Sequence, residues 1–239
     1  MKNLLFIALS FSFFFLSCSS DDVITGNSVN NINAADVMPV RHAAKKDGAI
    51  AYNTANIYDN AGSIYYQILE TTLAAAPANT VTGIVTATNT AALANTGFSA
   101  IVPTFTGISN AQVQWVINNS GNAQTIVNGS GASIAARAEL MLFLEMMDGS
   151  EVNAYNATYD AILVFENKII NHATLTTADK AFILRTTSIG RYISYYIDDK
   201  DKDWGGLKNG LYGAIKGGLW GTPTAISLAV GSSIQQDYN

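Results

Sequence analysis

From Gly48 to Ala136 the chain carries only two charged residues, Asp59 and Glu70, in 89 positions. Ala, Thr, Asn and Gly dominate this half, so its fold has to be read from the spacing of its apolar side chains. Ile57, Ala61, Ile64, Tyr65, Ile68 and Leu73 recur at helical intervals and predict one buried helix face. Val81 to Leu93 is a second helix candidate, with Ile84, Val85 and Ala92 on one side. The density of β-branched residues over Thr80–Thr90 leaves strands as the alternative there. Ser109 is placed to cap a third helix containing Val113, Val116 and Ile117. Gly97–Gly107 is expected to be an ordered loop, and Asn118–Gly131 polar turns.

The second half is patterned more conventionally. Ile134–Met147 predicts a helix ended by Asp148-Gly149, and Ser150 is placed to cap the next. That next helix carries a stripe of Tyr155, Tyr159, Ile162, Leu163, Ile169 and Ile170. Thr176-Thr177-Ala178-Asp179 resembles a capping box and opens a helix with Phe182, Ile183, Ile189, Tyr192, Ile193 and Tyr196. Thr222-Pro223 suits the N-cap and first turn of a final helix through Ile226, Val230 and Ile234. The expected fold is all-α: a single bundle of about six to eight helices over residues 47–239, with no linker-like gap inside it.

Composition narrows function mainly by exclusion. Charged residues make up 13% of the chain and hydrophobic residues 49%, against a usual charged share of about 25%. The 13 Lys and Arg face 18 Asp and Glu, so there is no basic excess for nucleic acid, and none is expected as a partner. One cysteine rules out an intrachain disulfide, and two histidines fall short of a three-histidine metal site. No cofactor motif is present.

The N-terminus points to a location. Lys2 precedes the 13-residue apolar run Leu4–Leu16, too short to cross a bilayer that needs ~20 helical residues. The run ends in Phe15-Leu16-Ser17-Cys18, which resembles the lipobox of bacterial lipoproteins. That resemblance implies a signal peptide at 1–17, cleavage before Cys18 and acylation of Cys18, with palmitate among the chains. Ser19 at the second position is what the family associates with the outer membrane. Ser19-Ser20-Asp21-Asp22 also resembles the export tag of surface lipoproteins in Bacteroidota; a solvated acidic linker is the other reading. Loss of residues 1–17 takes Lys2 with it and leaves 12 basic against 18 acidic residues, so lipid rather than a basic patch must make the membrane contact. Residues 18–46, rich in Ser, Asn and Asp with Pro39, read as a flexible tether spanning about 30 Å as a coil. The Thr186–Tyr196 segment and the Trp/Gly-rich stretch after it are similar to small helical lipoproteins of Bacteroidota, which supports the fold and the location and carries no activity.

The candidates for chemistry are few. Asp199, Asp201 and Asp203 match positions 1, 3 and 5 of a calcium loop, but Trp204 stands where the loop needs Gly and Gly210 where it needs Glu. A solvated helix end is the plainer reading. Gly206, Gly210, Ala214 and Gly218, and beside them Gly213, Gly217 and Gly221, recur every four residues and let another helix approach closely. With Leu207, Leu211, Ile215 and Leu219 alongside, they suggest packing inside the bundle, with self-association or membrane insertion as alternatives. Lys208, Lys216 and Pro223 argue against a span. Glu139, Glu145, Asp148, Glu151, Asp160 and Glu166 offer carboxylates from which two could serve a hydrolase of envelope polymers. The Glu-x-x-His spacing of di-metal bundles is absent, since His172 lies six residues after Glu166 and His42 lies in the tether. Arg137 and Glu139 read as a solvated face, and His172 as a helix-end residue. Eleven tyrosines, among them Tyr65, Tyr66, Tyr155, Tyr159, Tyr195 and Tyr196, suit recognition slightly better than catalysis. The expectation is a non-enzymatic binding or structural lipoprotein on the periplasmic or surface face of the outer membrane. Its expected partners are the membrane through its lipid, an envelope protein or glycan, or a second copy of itself.

Overall fold

The computed structural model of the protein describes residues 50–101, 105–150, 154–200 and 204–236. They all lie in one compact unit. The expected signal peptide at 1–17, Cys18 and the expected tether at 18–46 lie outside the described residues. In chain order come α1 (Asn60–Ala74), α2 (Val81–Ala94), α3 (Thr96–Ile101), α4 (Asn110–Asn119), α5 (Ala123–Asn128) and α6 (Ile134–Gly149). They are followed by α7 (Tyr155–Ile170), α8 (Thr177–Lys200), α9 (Trp204–Gly217), a 3-10 turn at Gly218–Trp220 and α10 (Thr222–Gln236). The fold is an all-α bundle, with no strand among the described residues.

A chain this poor in charge starts its helices on neutral side chains. Thr80 accepts a hydrogen bond from the Gly83 N–H at 3.0 Å, Asn122 one from Thr125 at 2.9 Å and Ser133 one from Ala136 at 3.1 Å. Ser109 and Gln112 form a full capping box at α4. Each cap satisfies a backbone donor that the first turn leaves free. This settles the Thr-rich region as helix: the Thr80 cap starts α2, and Ile84, Val85, Thr88, Ala91 and Ala92 turn inward.

Several local expectations need correction. Ile57 precedes α1 and is 81% exposed, because the chain enters the bundle as irregular backbone before helix begins at Asn60. The expected loop at 97–107 contains α3, and the expected turns at 118–131 contain α5. Both are six-residue helices, too short to show an apolar period. Ser150 does not cap α7: its hydroxyl donates to the Met147 carbonyl at 2.8 Å and closes α6 instead.

Helix α8 lies at the centre, packed against α1, α6, α7, α9 and α10. Every residue from Thr186 to Tyr196 is buried, so the amphipathic stripe expected there is overridden by neighbours on all sides. Its polar members are satisfied within the helix or by partners. Thr186 and Ser194 return their hydroxyls to Phe182 and Gly190 carbonyls, both at 3.1 Å, as helical Ser and Thr do when buried.

Helices α9 and α10 pack antiparallel through glycine. A Cβ on Gly217 would lie 2.6 Å from the Ala225 Cα, and one on Gly213 2.9 Å from the Ala229 Cα. A Cβ on Gly210 would meet the Ser233 hydroxyl, which hydrogen-bonds the Tyr65 hydroxyl of α1 at 2.9 Å. The glycine row is therefore spent on contact within the chain. Gly221 is the exception and corrects the expectation: a Cβ there would touch only Pro223, at 3.8 Å. Its φ of +103° marks it as the corner before α10, a conformation that favours glycine. Gly206 lies on α9 ahead of the part whose packing is described.

Gly217→Leu should thus cost at least about 1–3 kcal/mol, because backbone rather than a movable side chain blocks the space. In a domain of this size that lowers Tm by roughly 2–4 °C per kcal/mol. Gly149→Ala, where nothing lies within 4 Å of the added methyl, should leave Tm unchanged or raise it slightly, as thermal denaturation followed by circular dichroism would record.

Candidate functional site

The densest set of polar contacts surrounds Arg191, in the middle of α8. Its side chain is fully buried. Its Nε lies 3.2 Å from both oxygens of Glu166 on α7. One terminal nitrogen donates to the Ala51 carbonyl and the other to the Asp59 carboxylate. Glu166 is equally buried and accepts further bonds from Asn53 at 2.6 Å, Asn56 at 2.8 Å and Thr187 at 2.8 Å. Asn56 also donates to the Leu184 carbonyl at 2.9 Å. The Ser188 hydroxyl donates to the Asp59 carbonyl at 2.8 Å and accepts from the Gly62 N–H at 3.0 Å. From α7, the Tyr155 and Tyr159 hydroxyls donate to the Ile50 and Tyr52 carbonyls, at 2.7 and 2.8 Å.

These bonds hold residues 50–62, irregular backbone running into α1, against α7 and α8. Burial alone would pull the Arg191 pKa down, but Glu166 and Asp59 more than reverse it and hold the pKa above the ordinary arginine value. The same burial pushes the Tyr155 and Tyr192 phenols well above their usual range, so they remain donors. The arrangement is a closed clamp. The planar guanidinium satisfies two carboxylates and a carbonyl at once, which a lysine could not reproduce.

The carboxylates offered as hydrolytic acids are dispersed by this geometry. Glu166 has no exposed surface and all its contacts are structural. Glu139 is buried rather than solvated, correcting the expected open face: Lys168 holds it at 2.6 Å and the His172 Nε2 lies 3.5 Å away. Asp148 pairs with Lys208 at 2.7 Å. Asp160 is exposed on α7, as is Glu145 on α6, and Glu151 lies outside the described residues. Of the calcium candidates, Asp199 pairs with Lys200 at 3.2 Å, while Asp201 and Asp203 lie outside the described residues. Among the described residues no three His, Cys, Asp or Glu side chains converge as metal ligands. The tyrosines are mostly core: Tyr66 meets Tyr195 and Tyr196 edge-on, at 5.7 and 6.1 Å between ring centres.

Among the depressions on the surface, two are lined by described residues. One, of about 350 Å³, lies where the starts of α6 and α8 meet the α9–α10 corner and is lined by Ser133, Asp179, Phe182, Arg185 and Leu219 among others. Asp179 accepts from the Thr176 hydroxyl at 2.7 Å. Burial would raise its pKa, but bonds from Thr176 and Ser133 outweigh that and hold it below the usual carboxylate value. Arg185 lies 4.9 Å over the Tyr58 ring. The other depression, of about 440 Å³, is an apolar groove between α6 and α7.

No protein-family model, curated protein or solved structure matches this chain.

Arg191 was absent from the sequence-based candidates. The available signal was a lone arginine inside Thr186–Tyr196, a run otherwise without charge, and a lone Asp59 in a segment equally bare.

Arg191→Met strands Glu166 without its cation and should cost about 3–5 kcal/mol, whereas Arg191→Met combined with Glu166→Gln should cost less than the sum of the single changes, measured by urea denaturation. Asp179→Ala should lower Tm at pH 7. Because the folded pKa of Asp179 is depressed, its contribution is present above the ordinary carboxylate pKa of about 3.9 and is lost as pH falls through the folded value. The Tm difference should therefore close in acid.

Proposed function

We propose that the chain is a lipid-anchored protein of the bacterial outer membrane, with a non-enzymatic binding or structural role on its periplasmic or surface face. The carrying observation is the apolar leader ending in Phe15-Leu16-Ser17-Cys18, with the chain's one cysteine where a lipobox requires it. A Ser, Asn and Asp-rich segment then leads to the helical unit. No helix among the described residues is long and apolar enough to cross a membrane, so on this reading attachment falls to Cys18. Several acyl chains, each contributing ~0.8 kcal/mol per buried methylene, make such an anchor stable.

What supports a binding or structural role over hydrolysis is the use made of the acids. Glu166 is sequestered and saturated, and Glu139 is tied to Lys168 and His172. A two-acid mechanism needs both groups facing one substrate cleft.

Growth with labelled palmitate should mark the full chain, and Cys18→Ala should abolish the mark. Equal labelling of the two would overturn the anchor. Protease treatment of intact cells then reads the face: digestion of the helical unit places it outside, and protection places it in the periplasm.

A further inference from the structure

The outer face of α6 and α7 exposes several large apolar side chains. On α6, Ile134, Ala138, Leu142 and Met146 follow one another at intervals of four, forming a single ridge. Ile134 is 86% exposed and Leu142 48%. Of that ridge Met146 lines the groove between α6 and α7, and Ala161 and Val164 line it from α7, where Val164 is 72% exposed. The two helices run antiparallel, since Glu139 meets Lys168 and Phe143 meets Phe165. The groove between them is almost wholly apolar. Its charged lining residues are Asp160 and Lys168.

Those two charges say what fits there. Asp160, Val164 and Lys168 are four residues apart along α7, so the charges sit about 6 Å to either side of Val164 along the axis. An antiparallel copy of this helix, turned about a two-fold axis at Val164, brings each Asp160 against the other copy's Lys168. The surface is thus complementary to itself, as a two-fold interface must be. Lys168 already bonds Glu139, but its side chain is 47% exposed and an ammonium has three donors. A parallel or shifted copy would oppose like charges or strand both.

We propose that α6 and α7 are the self-docking face of a symmetric dimer, with Val164 on the two-fold axis and Asp160 of each copy paired with Lys168 of the other. The apolar ridge supplies the affinity, while the exposed ion pairs set register and direction. The proposal does not depend on lipid attachment and stands or falls separately from it.

The test uses the full chain purified in detergent, by sedimentation equilibrium up to about 100 µM. A reversible monomer–dimer equilibrium is expected. Val164→Glu should weaken it at least about tenfold with Tm unchanged, because Val164 makes its exposed contacts outside the core. Asp160→Lys should weaken it too, by placing lysine opposite lysine. Position is read by oxidative crosslinking, with the unsubstituted chain and its single Cys18 as control. Val164→Cys should crosslink to itself. Asp160→Cys mixed with Lys168→Cys should crosslink to each other, and Asp160→Cys alone should not. A chain that stays monomeric throughout, a dimer indifferent to Val164→Glu, or crosslinking of Asp160→Cys to itself would each overturn the proposal.

Discussion

A guanidinium with no exposed surface is the constraint around which the rest of this structure is arranged. Removing an arginine from water is costly unless its donors and charge are met. Here they are met by groups from separate parts of the chain: Glu166 on α7, and Ala51 and Asp59 in the entry segment. Such a cluster forms only when those elements are in register. A buried ion pair is weak evidence of stability in itself. What it enforces is that residues 50–59 occupy one path and no other, since any displacement leaves a buried charge unpaired.

The small residues serve the same close assembly. Gly62 lets α1 approach the Ser188 backbone and Gly190 admits the Phe143 ring, where a Cβ would lie 2.8 Å from it. Gly213 and Gly217 do likewise between α9 and α10. With backbones this close, hydroxyls rather than long side chains make the connections, as between Ser188 and Asp59 or Tyr65 and Ser233. This also accounts for the composition. A bundle joined by Ser, Thr, Asn and glycine contacts needs few charges inside it, and those buried among the described residues are Arg191, Glu166 and Glu139.

The helices with long apolar periods were legible in the sequence, as were the starts marked by Ser109 and Thr176, because spacing and capping act over a few residues; the Thr80 cap was not, since the β-branched run after it left strands open. The short helices α3 and α5 were not, since six residues hold less than two turns of pattern. The polar centre was illegible for a different reason. Asp59, Glu166 and Arg191 are separated by 107 and 25 positions in turn, and nothing local in Glu166 separates it from the other acids of α6 and α7. Its burial is decided by Asn53 and Asn56, residues that alone read as loop. The glycine row showed that a helix could approach closely, but whether from the same chain depended on Gly221 turning the corner. Glu139 misled in the same way: its burial depends on Lys168 and His172, about thirty residues on.

The clamp has a mechanical side if the chain is held at Cys18. Force passed along the chain from Cys18 then reaches the described residues first at Ile50. The Tyr155 hydroxyl grips the Ile50 carbonyl, Arg191 the Ala51 carbonyl, Tyr159 the Tyr52 carbonyl and Glu166 the Asn53 amide. Four consecutive residues are thus bonded to α7 and α8. Separate bonds along a short segment share a load when it is pulled across them, and local opening would need several to break together. A fraying end would lack that resistance, because exposed backbone bonds open one at a time. On the proposed lipid-anchored reading, the placement of this charge cluster beside residues 50–53 suits a domain held from its N-terminal side.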